Sequence, residues 1–256
     1  MLGGDALRNI KLTVAYDGHD FAGWQIQPAL PTIQGTLVSV IEQITGEKTL
    51  PQGSGRTDAG VHALAQVASL QLESHIPLLN FRKALNDLLP RAIRILNVEE
   101  VAADFHARKS ACAKTYEYRI YRGEICPPFL SRYVYHHPFP LDENAITEAA
   151  TAVVGERDFT SFAAVDPESR KENINTSNVR TIYGSNWEHI GEQLVYTVRG
   201  NGFLHHMVRN LVGTFLMIGK GNLTLKDLKR ILDLRDRSAA AATAPASGLF
   251  LISVEY

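Results

Sequence analysis

Hydrophobic patterning predicts an α+β protein made of two similar halves, on three observations. Apolar residues recur with period two in some stretches and with period 3.6 in others, the marks of half-buried strands and amphipathic helices. The order strand, helix, strand, helix, strand is met once before about residue 106 and again after it. The chain has 256 residues, 45% hydrophobic and 21% charged, enough for two cores. The expectation is a mixed, largely antiparallel sheet with packed helices in each half, with residues 1–106 as one domain and 107–256 as the other.

In the first half, Ile10, Leu12, Val14 and Tyr16 alternate over residues 8–16 as one face of a strand that runs into the turn Asp17-Gly18-His19-Asp20. Thr32 is placed to cap a helix whose Ile33, Leu37, Val40, Ile41 and Ile44 share a face, and Gly46 is placed to close it. Residues 48–50 form a short strand candidate, and Ala68, Leu70 and Leu72 mark a longer strand over 64–72. Leu78, Phe81, Leu85, Leu88 and Leu89 form the inward face of a second helix, stopped at Pro90. Ile93, Ile95 and residues 98–101 supply a further strand.

The second half repeats this plan. Tyr116, Tyr118 and Ile120 share a face of a strand over 115–121. Asp142 caps a helix over 142–154 that Gly155 ends. Residues 179–187 and 194–199 read as a hairpin about Gly191, followed by a helix over 203–218 and a second over 225–235, opened by the capping box Thr224-x-x-Asp227. The Ala-rich stretch 238–247 has the low complexity of a mobile linker, and alternation over 249–256 ends in a strand.

Composition excludes several function classes. No apolar run approaches the ~18 residues of a membrane span, and residues 1–16 lack a secretion signal, so the expected location is cytoplasmic. Cys112 and Cys126, the two cysteines, have no CxxC spacing, and the nine histidines form neither HExxH nor a deaminase-type zinc set. No metal and no cofactor are expected. The Gly53-x-Gly55 pair precedes a strand instead of a helix, and Gly213 to Lys220 has the wrong spacing and an apolar interior for a phosphate loop.

Candidate chemistry gathers at Gly53-Ser54-Gly55-Arg56-Thr57-Asp58-Ala59-Gly60-Val61-His62-Ala63. A hairpin needs two to five turn residues, whereas this segment spends about ten on glycines, a carboxylate, two hydroxyls and two bases. Arg108, Lys109, Lys114, Arg119 and Arg122, interleaved with Tyr116, Tyr118 and Tyr121, have the cation and aromatic content that a phosphate backbone and unstacked bases require. A solvated strand face accounts for the same cluster equally well. Asp58 with a second carboxylate from Asp17, Asp20 or Asp104 would instead suit a glycosidic-bond hydrolase.

Residues 55–63, Gly-Arg-Thr-Asp-Ala-Gly-Val-His-Ala, resemble the signature of the TruA family of tRNA pseudouridine synthases. Four more blocks agree in order and spacing: Tyr16-Asp17-Gly18 with Phe21, Gly23, Trp24 and Gln25 to Pro28; Asp104 to Arg108 through Lys114-Thr115-Tyr116; Asn201 to Leu204 with Met207-Val208-Arg209; and Ala244-Pro245-Ala246 with Gly248-Leu249. The resemblance implies a cofactor-free isomerase of uridines 38 to 40 in the tRNA anticodon arm, a homodimer, and an RNA-binding cleft between the halves. It implies Asp58 as catalytic nucleophile or base, Tyr116 stacked on the target uracil and Arg209 paired with the aspartate. It further implies Leu249 as an apolar contact on the base, Arg56 in nucleotide flipping, and RNA contacts at Arg108 and Lys114. A non-catalytic RNA-binding protein of the same fold is the alternative. Lys109, where the family pattern has an aromatic residue, and a long polar segment over 166–177, read as a surface loop, are departures from that pattern.

The chemistry agrees with this set. Moving a uracil from N1 to C5 linkage breaks one C–N bond, forms one C–C bond and shifts a proton, so it requires no redox partner. It requires an ionised carboxylate beside sugar and base, and a nearby Arg cation lowers an Asp pKa by roughly 1 to 3 units. The residues leave open attack at C6, attack at C1′ and removal of a sugar proton.

Overall fold

The computed structural model describes residues 7–164 and 177–256. The fold is mixed α+β, with ten strands and five α-helices among the described residues. Two compact units divide the chain: one holds residues up to Cys112 together with Phe250–Tyr256, the other Ala113–Leu249.

The first unit contains β1 (Arg8–Tyr16), α1 (Ile33–Thr45), β2 (Gln52–Gly53), β3 (His62–Leu72), α2 (Leu78–Leu88), β4 (Ile93–Val101) and β10 (Leu249–Glu255). Its sheet runs β4-β1-β3-β10, antiparallel except that β10 lies parallel to β3 with Phe250 opposite His62, while β2 pairs with β3. The apolar face expected on β1 is buried at Ile10, Leu12, Val14 and Tyr16. Both ends of α1 follow from its capping residues: Thr32 accepts from Gly35 N–H, and Gly46 takes the left-handed φ of 76°. α2 buries Phe81 and Leu85, and Leu89 is buried beyond its end, but Leu88 is 44% exposed. The helix stops at Leu88 because the residue before Pro90 takes extended geometry (Leu89 ψ 143°). The short strand forms at 52–53 instead of 48–50. There Gly53 lies flat against the buried indole of Trp24, where a Cβ would sit 2.6 Å from a ring carbon.

The second unit contains β5 (Ala113–Tyr121), β6 (Tyr135–His136), α3 (Glu143–Ala152), β7 (Gly155–Asp158), β8 (Val179–Ile190), β9 (Gln193–Gly200), α4 (Met207–Gly219) and α5 (Leu225–Leu234). Its sheet is antiparallel in the order β5-β9-β8-β7, with β6 added parallel to β5. β8 and β9 form the expected hairpin, turning through Gly191 at φ 61°. Asp142 and the Thr224–Asp227 box cap α3 and α5 as expected. α4 buries residues all round its barrel, the pattern of a core helix. It packs Phe215 edge-on to Trp187 and Tyr196 of the sheet (6.4 and 5.4 Å between centroids).

Two expectations change here. α4 begins at Met207 and not at 203, because His206 holds a left-handed φ of 60° that helical propagation cannot pass through. The Ala-rich stretch 238–247 is not a free linker but a strap along α4. Ala244 N–H donates to Arg209 C=O at 3.1 Å, Ala241 N–H to Thr214 Oγ1 at 3.3 Å, and Thr243 Oγ1 to Asn210 Oδ1 at 2.7 Å. Gly213 permits this approach, since a Cβ there would lie 2.0 Å from Ala242 O. The polar segment expected at 166–177 lies almost wholly outside the described residues.

Candidate active site

In the first unit, the loop that carries Asp58 spans residues 54–61, between β2 and β3. Its path follows from anchors on neighbouring strands. Ser54 donates its N–H to Val67 C=O (2.7 Å) and its Oγ–H to Gln66 Oε1 (2.6 Å). Gln66 Nε2 donates to Gly55 C=O at 2.9 Å. Thr57 Oγ1 meets the Tyr16 hydroxyl at 2.8 Å, and Thr57 C=O accepts from Trp24 N–H at 3.0 Å. Val61 N–H closes the bend on Asp58 C=O at 3.2 Å. Ser54, Thr57, Tyr16 and Gln66 are buried, Asp58 is half-buried and Arg56 is exposed. The main chain is thus fixed on both sides of a carboxylate that still reaches the surface.

Two glycines make the loop's close seating possible. A Cβ on Gly18 would fall 1.9 Å from Val61 O, and one on Gly23, at φ 98°, 2.6 Å from Thr57 O. Asp17, the adjacent carboxylate considered as a second acid, accepts from His19 N–H at 3.0 Å and lies 3.1 Å from His62 Nδ1. Gly18 N–H also approaches that Nδ1, at 3.2 Å. One ring nitrogen cannot donate to the carboxylate and accept from the amide at once, so the tautomer selects between them. The His62 ring is buried and stacks on Phe250 of β10 at 4.7 Å. Asp17 therefore has a local partner set of its own. Arg108 and Lys109 are exposed in this unit.

In the second unit, Tyr116 lies on β5 opposite Val198, largely buried, with Phe203 edge-on to its ring at 5.1 Å. Arg209 is in the first turn of α4, half-buried rather than solvent-facing, and its Nε donates to Ala244 C=O at 2.8 Å. With the return bond from Ala244 N–H, the strap and the arginine clasp each other. Tyr118, next along β5 from Tyr116 on the same face, donates its hydroxyl to Pro245 C=O at 2.8 Å. Burial raises the Tyr118 phenol far above its ordinary pKa, against an opposing pull from Arg209. Leu249 is buried at the end of the strap and Lys114 is half-buried on β5. Within this unit the structure brings Tyr116 to Phe203, and Arg209 to Ala244, whose neighbour Pro245 receives the Tyr118 hydroxyl.

Part of the cation cluster serves the fold. Arg119 pairs with Glu117 at 2.8 Å on β5. Arg122 donates to the carbonyls of His137 and Phe139 and lies 3.6 Å from Glu143. The sequence assigns no separate role to Phe203, which falls inside the block Asn201 to Leu204, or to Gln66. Phe203 falls in the first turn of the helix expected over 203–218. Gln66 carried a signal, a polar residue in register with Ala68, Leu70 and Leu72 on an apolar face.

The family profile described as tRNA pseudouridine synthase matches residues 12–108 and 149–256. These stretches include Arg56, Asp58, Arg108, Arg209 and Leu249, whereas Lys114 and Tyr116 fall between them. The tRNA pseudouridine synthase A of Solibacter usitatus (strain Ellin6076) is 53% identical over 251 residues, covering 98% of this chain and 100% of that protein. Proteins of the same name from Brevibacillus brevis (strain 47 / JCM 6285 / NBRC 100599) and Lacticaseibacillus casei (strain BL23) are each 44% identical, over 250 and 253 residues, with the same two coverages. With four-fifths of its length inside the profile and full-length relatives at this identity, the chain belongs to the tRNA pseudouridine synthase family.

Proposed function

We propose that the protein isomerises uridine to pseudouridine in the anticodon arm of tRNA, at positions 38 to 40, with Asp58 as the catalytic carboxylate. The observation that carries this reading is a single half-buried carboxylate on a loop pinned at residues 54, 55, 57 and 58, within a chain of this family. In the reaction the C1′–N1 bond breaks, a C1′–C5 bond forms, the C5 proton leaves and N1 takes up a proton. Asp58 acts as nucleophile or base in that exchange. Arg209 is the cation that pairs with the aspartate.

Taking the target base out of its stack costs a few kcal/mol. Stacking on Tyr116 returns roughly 1 to 3 kcal/mol, and the edge-on ring of Phe203 keeps that tyrosine in one orientation. Leu249 provides an apolar contact to the base, Arg56 assists flipping, and Arg108 and Lys114 meet phosphates. The tRNA is bound by residues of both units, and the working form is a homodimer. The engagement of Asp17 by His19 and His62 favours this isomerase over a two-carboxylate hydrolase.

Tritium release from tRNA labelled at uracil C5 tests the reading. Asp58→Asn is expected to abolish release while tRNA binding survives. Wild-type release by that variant, or free uracil as the wild-type product, would overturn it.

A further inference from the structure

We propose that Gln66, acting with Tyr16 and Thr57, is a positioning residue for the Asp58 loop, a buried amide on β3 that sets the main chain just before the carboxylate. The inference rests on the reading of Asp58 as the reacting group.

All four hydrogen-bonding valences of the Gln66 amide are used. Oε1 accepts from Ser54 Oγ at 2.6 Å and from Val67 N–H at 3.1 Å. Nε2 donates to Gly55 C=O at 2.9 Å and, more weakly, to the Tyr16 hydroxyl at 3.5 Å. Rotating the amide by half a turn would set NH₂ against the Val67 N–H and oxygen against the Gly55 carbonyl, so its orientation is fixed. The Tyr16 hydroxyl also shares a 2.8 Å hydrogen bond with Thr57 Oγ1, in which either the Thr57 hydroxyl or the phenolic proton of Tyr16 can donate. Burial pushes the Tyr16 phenol up to about 12, so that proton is held at any physiological pH.

One side chain on an extended strand therefore controls residues 54 and 55 directly and residue 57 through one tyrosine. A role confined to filling the core would ask only for volume, which Met or Leu supplies. What the amide adds is direction, aimed at successive residues of one loop and ending next to Asp58. Holding a reacting group in place this way acts on the chemical step more than on binding.

The test measures single-turnover tritium release with enzyme in excess, tRNA Kd by filter binding, and Tm by circular dichroism, in full-length variants. Gln66→Met should slow release by ~100-fold with Kd unchanged within about twofold. Tyr16→Phe and Thr57→Val should each slow it by ~10-fold, and the double variant should be no slower than either alone, since both delete one shared bond. Thr57→Ser, which keeps the hydroxyl, should restore the wild-type rate. Should Gln66→Met fail to fold, the two single-hydroxyl deletions carry the test by themselves. Folded Tyr16→Phe and Thr57→Val releasing tritium at the wild-type rate, or losing rate only in step with Kd or Tm, would overturn the inference. Asp58→Asn separates the levels: if it is inactive and the others run normally, only the positioning role falls. If Asp58→Asn is active, both fall.

Discussion

The loop at 54–61 and the strap at 238–247 are both runs of small residues outside regular structure, yet opposite devices hold them. In the loop, side chains of the sheet reach out to it: Gln66 grips the Ser54 hydroxyl and the Gly55 carbonyl, and Tyr16 meets the Thr57 hydroxyl. In the strap, the main chain itself does the gripping, through Ala241 and Ala244 on α4, with Asn210 collecting Thr243 and Arg237. Small side chains have different uses in the two places. Around the loop, Gly18 and Gly23 let two backbones touch so that a carboxylate is presented. Along the strap, Gly213 and the alanines let a strand-like segment lie close to a helix whose Arg209 is thereby clasped. Poor complexity is therefore no measure of mobility; the count of anchored polar groups is.

The largest effects that would break this comparison come from the close approaches. Gly18→Ala and Gly213→Ala each drive a Cβ to within 2.0 Å of a carbonyl oxygen, Val61 O and Ala242 O respectively. Each is expected to cost about 3 kcal/mol in urea unfolding, the upper range of overpacking. Gly18→Ala should also lose activity beyond what its residual folded fraction explains, since the loop end moves.

Next in size is Asn210→Leu. It removes a fully buried amide that donates to Phe162 C=O at 2.7 Å and accepts from Arg237 and Thr243. Stability should fall by about 2 kcal/mol, and limited proteolysis should now cut within the strap while the Asp58 loop stays resistant. Cleavage of both at equal rates would erase the distinction drawn between them.

The smallest effect appears only in alkali. Tyr16 titrates near 10 when unfolded and at about 12 when folded, so its contribution is whole below pH 10 and is lost as pH rises toward 12. By pH 11 the loss from this shift amounts to about 1.4 kcal/mol. Tyr118, Tyr196 and Tyr256 are shifted in the same direction by burial, so the wild type should lose stability steeply over this range. Tyr16→Phe should show a shallower slope, measured as urea midpoints at pH 9, 10 and 11.

Much of the fold was legible because its signals are local. Thr32, Asp142 and the Thr224–Asp227 pair fix helix starts within a few residues of themselves, and the helices begin where these caps place them. β6, two residues long and paired in parallel with β5, has no local signature, because its reason to exist is a partner distant in sequence. α4 starts later than its pattern suggests because residues 203–206 have acceptable helical pattern and only the backbone at His206 forbids it. For the site, the loop announced itself by spending glycine and charge where a hairpin needs neither. Its supports did not. Tyr16 looks like the end of an apolar strand face and Gln66 like an interruption of one, and only the register Val14↔Gln66 brings these two strands side by side.

The closing strand β10 carries a consequence for how the protein is made. It lies parallel to β3 and sets Phe250 on the ring of His62, directly downstream of the Asp58 loop. The first unit thus cannot be completed on the ribosome when its first 112 residues emerge, because its last strand follows only after residues 113–249 have been synthesised. Until then the open edge of β3 beyond His62 stays exposed, an aggregation hazard for the nascent chain. A half-made chain holds the Asp58 loop without the strand that seats the loop's exit, so completion of that loop is coupled to translation of the second unit.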